Sequence, residues 1–90
     1  VNPFTSLDQA ITEANRLPFG LASYGFSRSA ETIRRLGLEI DAGMTTINHV
    51  GLALPEVPCG GVRESGYGTE GGSAAIEAYL VTKFVTQTTG

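Results

Sequence analysis

The amino-acid sequence predicts an α/β fold with one parallel βαβ unit, a long loop, a short helix and a terminal strand. The apolar, aromatic stretch from Leu21 to Ser27 is typical of a strand, and so is the β-branched run from Met44 to Asn48. A helical pattern separates the two runs, and strands joined in this way are parallel with a right-handed crossover. From His49 to Gly72 the sequence shows no periodicity, which predicts a loop of the long kind that is usually functional.

The first helix is predicted to begin at Ser6. Ser6 acts as the N-cap, Gln9 is placed to reach back to it, and the helix dipole favours Asp8 in the first turn. One apolar stripe follows at helical spacing, formed by Leu7, Ala10, Ile11 and Ala14. Pro18 stops the helix because the residue before a proline is pushed out of the α region. Gly20 then allows the chain to turn into the first strand.

The second helix is predicted to lie between the two strands. Ser29 can cap it, and Glu31 falls in its first turn. Gly43 is the expected C-terminal stop. The inner face of this helix is predicted to consist of Ile33, Leu36, Gly37 and Ile40.

The chain is predicted to finish with a short helix and a strand. Residues Ser73 to Leu80 form the helix, and β-branched and aromatic residues from Val81 to Thr88 form the strand. The residues expected to face inward on the helix are Ile76, Tyr79 and Leu80.

We expect the chain to be a piece of a longer protein. It opens on Val1-Asn2-Pro3, and Met44 is its only methionine. Two parallel strands do not make a stable sheet alone, because parallel sheets are buried on both faces. The partner strands must therefore come from other residues of a longer chain or from another copy.

The composition excludes several classes of function. Ninety residues make one domain at most, and a net charge of −3 with a single adjacent basic pair gives no sign of nucleic-acid binding. No apolar stretch approaches the roughly 20 residues that cross a bilayer, so we expect no membrane partner. Cys59 is the only cysteine, which excludes an internal disulfide and offers no metal-ligand spacing. A reducing, cytoplasmic location is the expectation.

Six of the twelve glycines fall between Gly60 and Gly72, and within them Gly66 to Gly71 spells G-x-G-x-x-G. That pattern belongs to a dinucleotide-phosphate loop only when a strand precedes it and an acidic residue follows about 20 positions later. Pro58 to Ser65 is not strand-like, and no carboxylate follows near position 90. The pattern therefore predicts a tight loop leading into a helix, with no cofactor-binding residue in this chain.

Four blocks of the sequence together resemble the C-terminal end of the aldehyde dehydrogenase superfamily. In order, they read LPFGLASYGFSRS, AGMTTIN, PCGGVRESGYGTEGG and EAYLVTKFVTQ. The resemblance implies that residues 1–80 are the C-terminal part of the catalytic domain and that residues 81–90 are an oligomerisation strand and tail. It also implies a parent enzyme that oxidises a small aldehyde to an acid with NAD or NADP and works as a homo-oligomer, a dimer or a tetramer. The nucleophilic cysteine, the general base and the cofactor site would all lie upstream, so this piece alone is expected to be inactive.

The same resemblance implies substrate contacts in the long loop. Its segment from Asn48 to Val57 is similar to the loop that closes over the aldehyde, and Gly51 and Ala53 fall where the family varies its substrate-facing residues. His49 would face the substrate tunnel, lie at the surface or be hydrogen-bonded to backbone. Cys59 stands where the family has a tunnel-lining phenylalanine, so it is either a pocket wall or an inert small side chain. The loop is similar to that of members acting on short semialdehydes such as succinic semialdehyde.

The resemblance also singles out charged residues of the glycine-rich run. Glu70 matches a glutamate that helps to remove a proton from the general base, although a helix N-terminal glutamate stabilised by the dipole is the alternative. Thr69 replaces an arginine that the family usually carries. Arg63 is expected to be a solvated surface charge.

A second class of function remains open from the sequence. The terminal strand would be an unpaired edge, which is a natural template for strand addition. The chain could therefore be a non-catalytic small α/β module that associates with itself.

Overall fold

The computed structural model describes all residues from 1 to 90. Its elements are α1 (Leu7–Ala14), β1 (Phe19–Gly20), β2 (Ala22–Gly25), α2 (Ala30–Glu39), β3 (Met44–Ile47), β4 (Val62–Arg63) and a 3₁₀ helix (Ala75–Tyr79). None of the helices is both long and apolar enough to cross a membrane.

The predicted βαβ unit is confirmed. Strands β2 and β3 pair in parallel, with Ala22 opposite Met44 and Gly25 opposite Ile47, and α2 connects them. Ser23 and Thr45 face each other across this pair, and their hydroxyl oxygens lie 2.7 Å apart. Such a cross-strand pair favours this register, because a slip of one strand by one residue would move its hydroxyl to the opposite face and break the contact.

The two predicted N-caps are also confirmed. The Ser6 hydroxyl accepts a hydrogen bond from the Gln9 amide at 3.2 Å, and the Ser29 hydroxyl accepts one from the Thr32 amide at 3.3 Å. The Gln9 side chain reaches back one residue beyond the cap, where its oxygen accepts from the Thr5 amide at 3.0 Å. Each cap satisfies an amide that would otherwise lack a partner inside its helix.

Two predictions about glycines in and after α2 are wrong. The helix ends at Glu39, and Ile40 already has an extended backbone with ψ of 124°, so Gly43 does not stop it. Gly43 instead lies against the glycine-rich run, where a Cβ would overlap the Gly60 carbonyl oxygen. Gly37 does not contribute to an inner face, because a Cβ built on it would meet nothing within 4 Å.

A second, antiparallel sheet joins the start of the chain to the long loop, where no strand was predicted. Strand β1 pairs with β4, with Phe19 opposite Arg63 and Gly20 opposite Val62. Gly20 is buried inside this strand rather than in a turn, and a Cβ on it would overlap the Asp41 carbonyl oxygen. Close approach of two backbones, not a turn, is what requires glycine at this position.

The C-terminal part differs most from expectation. A 3₁₀ helix over Ala75–Tyr79 replaces the predicted helix Ser73 to Leu80. Ile76, Tyr79 and Leu80 are 61%, 86% and 63% exposed, so the predicted inward face is wrong for this chain, because no other element packs there. Residues 81–90 form no ladder with the rest of the chain, and their role as an oligomerisation strand stays a prediction.

Burial is sparse throughout. Three of the 90 residues are buried, namely Ile11, Gly20 and Thr46. The molecule is elongated, at 73 × 24 × 21 Å. An apolar groove therefore remains open along α1, α2 and the β2–β3 pair; among its lining residues are Phe4, Leu7, Tyr24, Phe26, Leu36 and Ile40.

Candidate functional site in the glycine-rich loop

Residues 58–72 fold back on themselves and bring Cys59 and Glu70 together. The Cys59 amide donates to the Glu70 carbonyl at 2.6 Å, and the Glu70 amide donates to the Cys59 carbonyl at 2.7 Å. Residues that exchange both hydrogen bonds across antiparallel backbones point their side chains to the same face. The candidate pocket wall and the candidate proton-relay carboxylate are therefore neighbours, eleven positions apart in the chain.

Glycines make this fold-back possible at its tip and at its end. Gly66 and Gly68 have φ of 132° and 81°, and Gly71 and Gly72 have φ of 63° and 64°. Side chains larger than hydrogen rarely adopt such values. The Gly72 amide closes the segment by donating to the Pro55 carbonyl at 3.0 Å. The glycines thus shape a loop, as the sequence predicts, rather than a strand-to-helix turn of the dinucleotide type.

The folded-back loop forms one side of an open cavity of about 550 Å³. Cys59, which is half-buried, and Glu70, which is exposed, both line it, together with Leu21 and Tyr79. His49, Gly51 and Ala53 are not among its lining residues. The structure therefore gathers two of the predicted site residues and leaves three on a separate, exposed part of the loop.

His49 is oriented by its own loop. Its ring Nδ1 accepts a hydrogen bond from the Gly51 amide at 3.1 Å, so the proton of the neutral ring is on Nε2 in this arrangement. Its carbonyl accepts from the Thr46 hydroxyl at 2.8 Å. These contacts fix the start of the loop and leave Nε2 as the free donor.

Asn48 is a residue of this region that sequence reasoning missed. Its backbone is left-handed, with φ of 63°. Its side chain forms two hydrogen bonds with the backbone of Ser27. The side-chain oxygen accepts from the Ser27 amide at 2.8 Å, and the side-chain NH₂ donates to the Ser27 carbonyl at 2.9 Å. An asparagine directly after a strand was the available signal, because asparagine tolerates this backbone region better than most residues.

Arg63 is an exposed residue, as predicted for a surface charge, but its side chain is paired rather than free in solvent. Its Nε lies 3.0 Å from a carboxylate oxygen of Asp41, and its side chain is 32% exposed, against 59% for Arg34 on α2. The guanidinium also donates to three backbone carbonyls. Arginine presents several donors in one rigid plane, and this contact set uses that property.

The shifted ionisable groups lie on α2, away from the loop. Hydrogen bonds from Arg34 and Arg35 hold the pKa values of Glu31 and Glu39, respectively, below the ordinary value of 4.5. Arg35 also reaches Asp8 of α1 at 2.6 Å. No group of three or more His, Cys, Asp and Glu residues is arranged to hold a metal ion.

Comparison with known proteins identifies the family of the chain. The profile of the group described as "Aldehyde dehydrogenase family" matches residues 1–85. The chain belongs to the aldehyde dehydrogenase family. The resemblance carried by the four sequence blocks is thereby confirmed, and so is the α/β fold as a part of that family's structure.

Relatives of this aldehyde dehydrogenase chain include enzymes named for sulfonated substrates. It is 48% identical over 83 residues to 4-(hydroxymethyl)benzenesulfonate dehydrogenase of Comamonas testosteroni, covering 92% of this chain and 17% of the relative. It is 40% identical over 82 residues to 3-sulfolactaldehyde dehydrogenase of Pseudomonas putida, covering 91% of this chain and 17% of the relative.

Solved structures of the family superimpose well on the chain. The succinate-semialdehyde dehydrogenase of Burkholderia pseudomallei is 36% identical with a TM-score of 0.83, over 87% of this chain and 16% of that one. The betaine aldehyde dehydrogenase of Staphylococcus aureus is 34% identical with a TM-score of 0.87, over 92% and 17%. A variant of the latter was solved in complex with NAD⁺. The chain thus spans about a sixth of the length of the relatives it matches.

We expect Gly43→Ala to destabilise the full-length protein that carries this segment. The new methyl group would overlap the Gly60 carbonyl oxygen. The atoms that it meets are all backbone atoms, which cannot move aside without shifting the loop. Gly37→Ala is the matched control, because its methyl group meets open space within α2 and should stabilise the helix by about 0.5–1 kcal/mol. Thermal unfolding should show opposite shifts of the midpoint, and equal shifts would contradict the observed approach of Gly43 to Gly60.

Proposed function

We propose that this chain is part of an NAD(P)-dependent aldehyde dehydrogenase that oxidises a small aldehyde to a carboxylic acid. The chain supplies part of the substrate tunnel and contacts between subunits. The observation that carries this proposal is the Cys59–Glu70 pair at one cavity, which puts a candidate tunnel wall beside a candidate proton-relay carboxylate. The nucleophilic cysteine, the general base and the NAD(P) site belong to residues outside these 90, so the chain alone is inactive.

Each candidate residue has a role in this proposal. Cys59 is a wall of the tunnel, and Glu70 passes a proton away from the general base. His49, Gly51 and Ala53 contact the aldehyde from the first part of the loop. Their exposure in the isolated chain is consistent with this role, because a substrate loop needs a surface that the remainder of the enzyme can close over.

We propose a short aldehyde that also carries an anionic group, such as succinic semialdehyde, as the substrate. Support comes from relatives named for substrates of this kind, among them 3-sulfolactaldehyde, aspartate semialdehyde and succinate semialdehyde dehydrogenases. Residues 49–62 contain no lysine or arginine. The positively charged group that pairs with the anionic end of the substrate must therefore come from another part of the enzyme.

We propose a cytoplasmic homo-oligomer that uses the tail from Val81 to Gly90 as a subunit contact. The apolar side chains Val81, Phe84 and Val85 are 91%, 87% and 72% exposed, which supports a partner for this segment. The same tail would equally serve a non-catalytic module that associates with itself, and this is the second candidate function. Enzyme assay of the full-length protein separates the two.

The full-length protein should reduce NAD⁺ or NADP⁺ when it is given an aldehyde. Absorbance at 340 nm would be followed with succinic semialdehyde and, as a neutral aldehyde of similar length, pentanal. We expect kcat/KM to be at least tenfold higher for succinic semialdehyde, because an unpaired anion-binding group disfavours the neutral compound. No turnover with any aldehyde would favour the self-association module, and equal values would reject the semialdehyde assignment alone.

Glu70→Gln should lower kcat of the full-length enzyme by about 10²-fold with little change in KM, the size expected when a proton-transfer group is lost. Glu77→Gln, on the exposed 3₁₀ helix, removes the same charge nearby and should leave both constants unchanged. Steady-state rates from pH 6 to 9 would make this comparison. If kcat of the Glu70 variant stays at the wild-type value at every pH, Glu70 is a structural residue of the loop.

Cys59→Phe should narrow the tunnel and shift preference toward shorter aldehydes. We expect kcat/KM to fall about tenfold or more for a bulky aldehyde such as benzaldehyde, and to change little for acetaldehyde, because lost space in a substrate pocket discriminates between substrates by about 1–3 kcal/mol. Cys59→Ala is the control that removes the thiol without filling space. A parallel loss of activity toward both aldehydes in the phenylalanine variant would contradict the assignment of Cys59 as a wall.

A further inference from the structure

Arg63 has a backbone conformation that its own sequence context does not favour. It is one of only two non-glycine residues with positive φ, at 54°. A left-handed backbone is unfavourable for an L-residue and persists only where the surroundings hold it. The contacts of the Arg63 side chain hold the backbone of Arg63 in this conformation.

The guanidinium of Arg63 joins three separate parts of the chain to the loop. It donates to the carbonyls of Asn15, Phe19 and Asp41, each at 3.3 Å, and its Nε pairs with the Asp41 carboxylate at 3.0 Å. Asn15 directly follows α1, Phe19 lies in β1, and Asp41 follows α2. One side chain of the loop therefore contacts the ends of both helices and a strand.

Two of these parts are themselves fastened together. The Asn15 side chain donates to the Glu39 carbonyl at 2.7 Å and accepts from the Asp41 amide at 2.8 Å. We call the side chains of Asn15, Asp41 and Arg63 the Asn15–Asp41–Arg63 network. It joins the ends of α1 and α2 to the loop through hydrogen bonds that do not depend on an apolar core.

The two residues after Arg63 extend this attachment of the loop toward the candidate site. The Glu64 amide donates to the Pro18 carbonyl at 2.8 Å, and the Ser65 hydroxyl accepts from the Gly20 amide at 2.7 Å. Beyond this turn the two arms of the loop meet at Cys59 and Glu70. A movement of Arg63 would therefore move both arms relative to the βαβ unit.

We propose that Arg63 is a positioning residue that sets where the Cys59–Glu70 pair lies relative to the βαβ unit, and that it acts on aldehyde turnover through that pair. This inference rests on the proposed function. Lysine does not replace arginine here, because one ammonium group cannot reach a carboxylate and three carbonyls at once.

The test uses Arg63→Gln and Arg63→Lys in the full-length enzyme, with Arg34→Gln as the matched control. Arg34 is an exposed arginine of α2 that pairs only with Glu31. Hydrogen exchange should accelerate at least tenfold over residues 58–72 in Arg63→Gln and remain unchanged over residues 22–25 and 44–47. Its kcat/KM should fall at least tenfold, and Arg63→Lys should recover only part of the loss. Added methylguanidinium should partly restore Arg63→Gln, whereas methylammonium should not.

The outcomes separate this inference from the proposed function. Wild-type exchange over residues 58–72 in Arg63→Gln, or faster exchange there with wild-type kcat and KM, would overturn the positioning role. A wild-type enzyme without aldehyde turnover would overturn the proposed function and the catalytic part of this inference with it, while the exchange data still decide the anchoring. If Arg63→Gln does not fold, Arg63→Lys is measured in its place, because it keeps the charge and loses the planar set of donors. Wild-type exchange over residues 58–72 together with wild-type kcat/KM in that variant would also reject the role.

Discussion

The structure depends first on hydrogen bonds to backbone groups at the ends of its elements. The Asn15–Asp41–Arg63 network occupies the Asn15, Phe19, Glu39 and Asp41 carbonyls and the Asp41 amide. Backbone groups at helix ends have no partner inside their own helix. In a chain with three buried residues, such polar contacts, rather than apolar packing, hold the loop against the βαβ unit. These hydrogen bonds therefore determine where the candidate site lies.

The second constraint is the close approach of backbones. Gly20 and Gly43 have no space for a Cβ, because the Asp41 and Gly60 carbonyl oxygens occupy it. The glycines of residues 60–72 meet a different need, since several of them take positive φ values. Glycine density in this chain therefore reflects packing of loop against sheet and reversal of the loop. Neither use requires a phosphate group. The G-x-G-x-x-G pattern follows the short antiparallel strand β4 and precedes a 3₁₀ helix, and it therefore lacks the parallel strand and the α-helix of a dinucleotide site.

Several apolar surfaces of the chain stay open. A single parallel strand pair buries little by itself, and the apolar groove beside it and the tail beyond Leu80 stay exposed. The family to which the chain belongs has members about six times as long. The 3₁₀ helix illustrates the consequence: Ile76 and Tyr79 have apolar surface but no element of this chain to pack against.

The sequence by itself determined the helix caps, the parallel strand pair and the family. Ser6 and Ser29 as caps, the β-branched strand at Met44 and the blocks that resemble aldehyde dehydrogenases all follow from residue types at short spacing. Only the tertiary structure decided that Cys59 and Glu70 are partners, that β1 pairs with β4, and that Arg63 binds backbone carbonyls. The physical reason is sequence distance. Caps and periodicity act within a few residues, whereas Arg63 and Asn15 are 48 positions apart and meet only after the helices and the loop have taken their places.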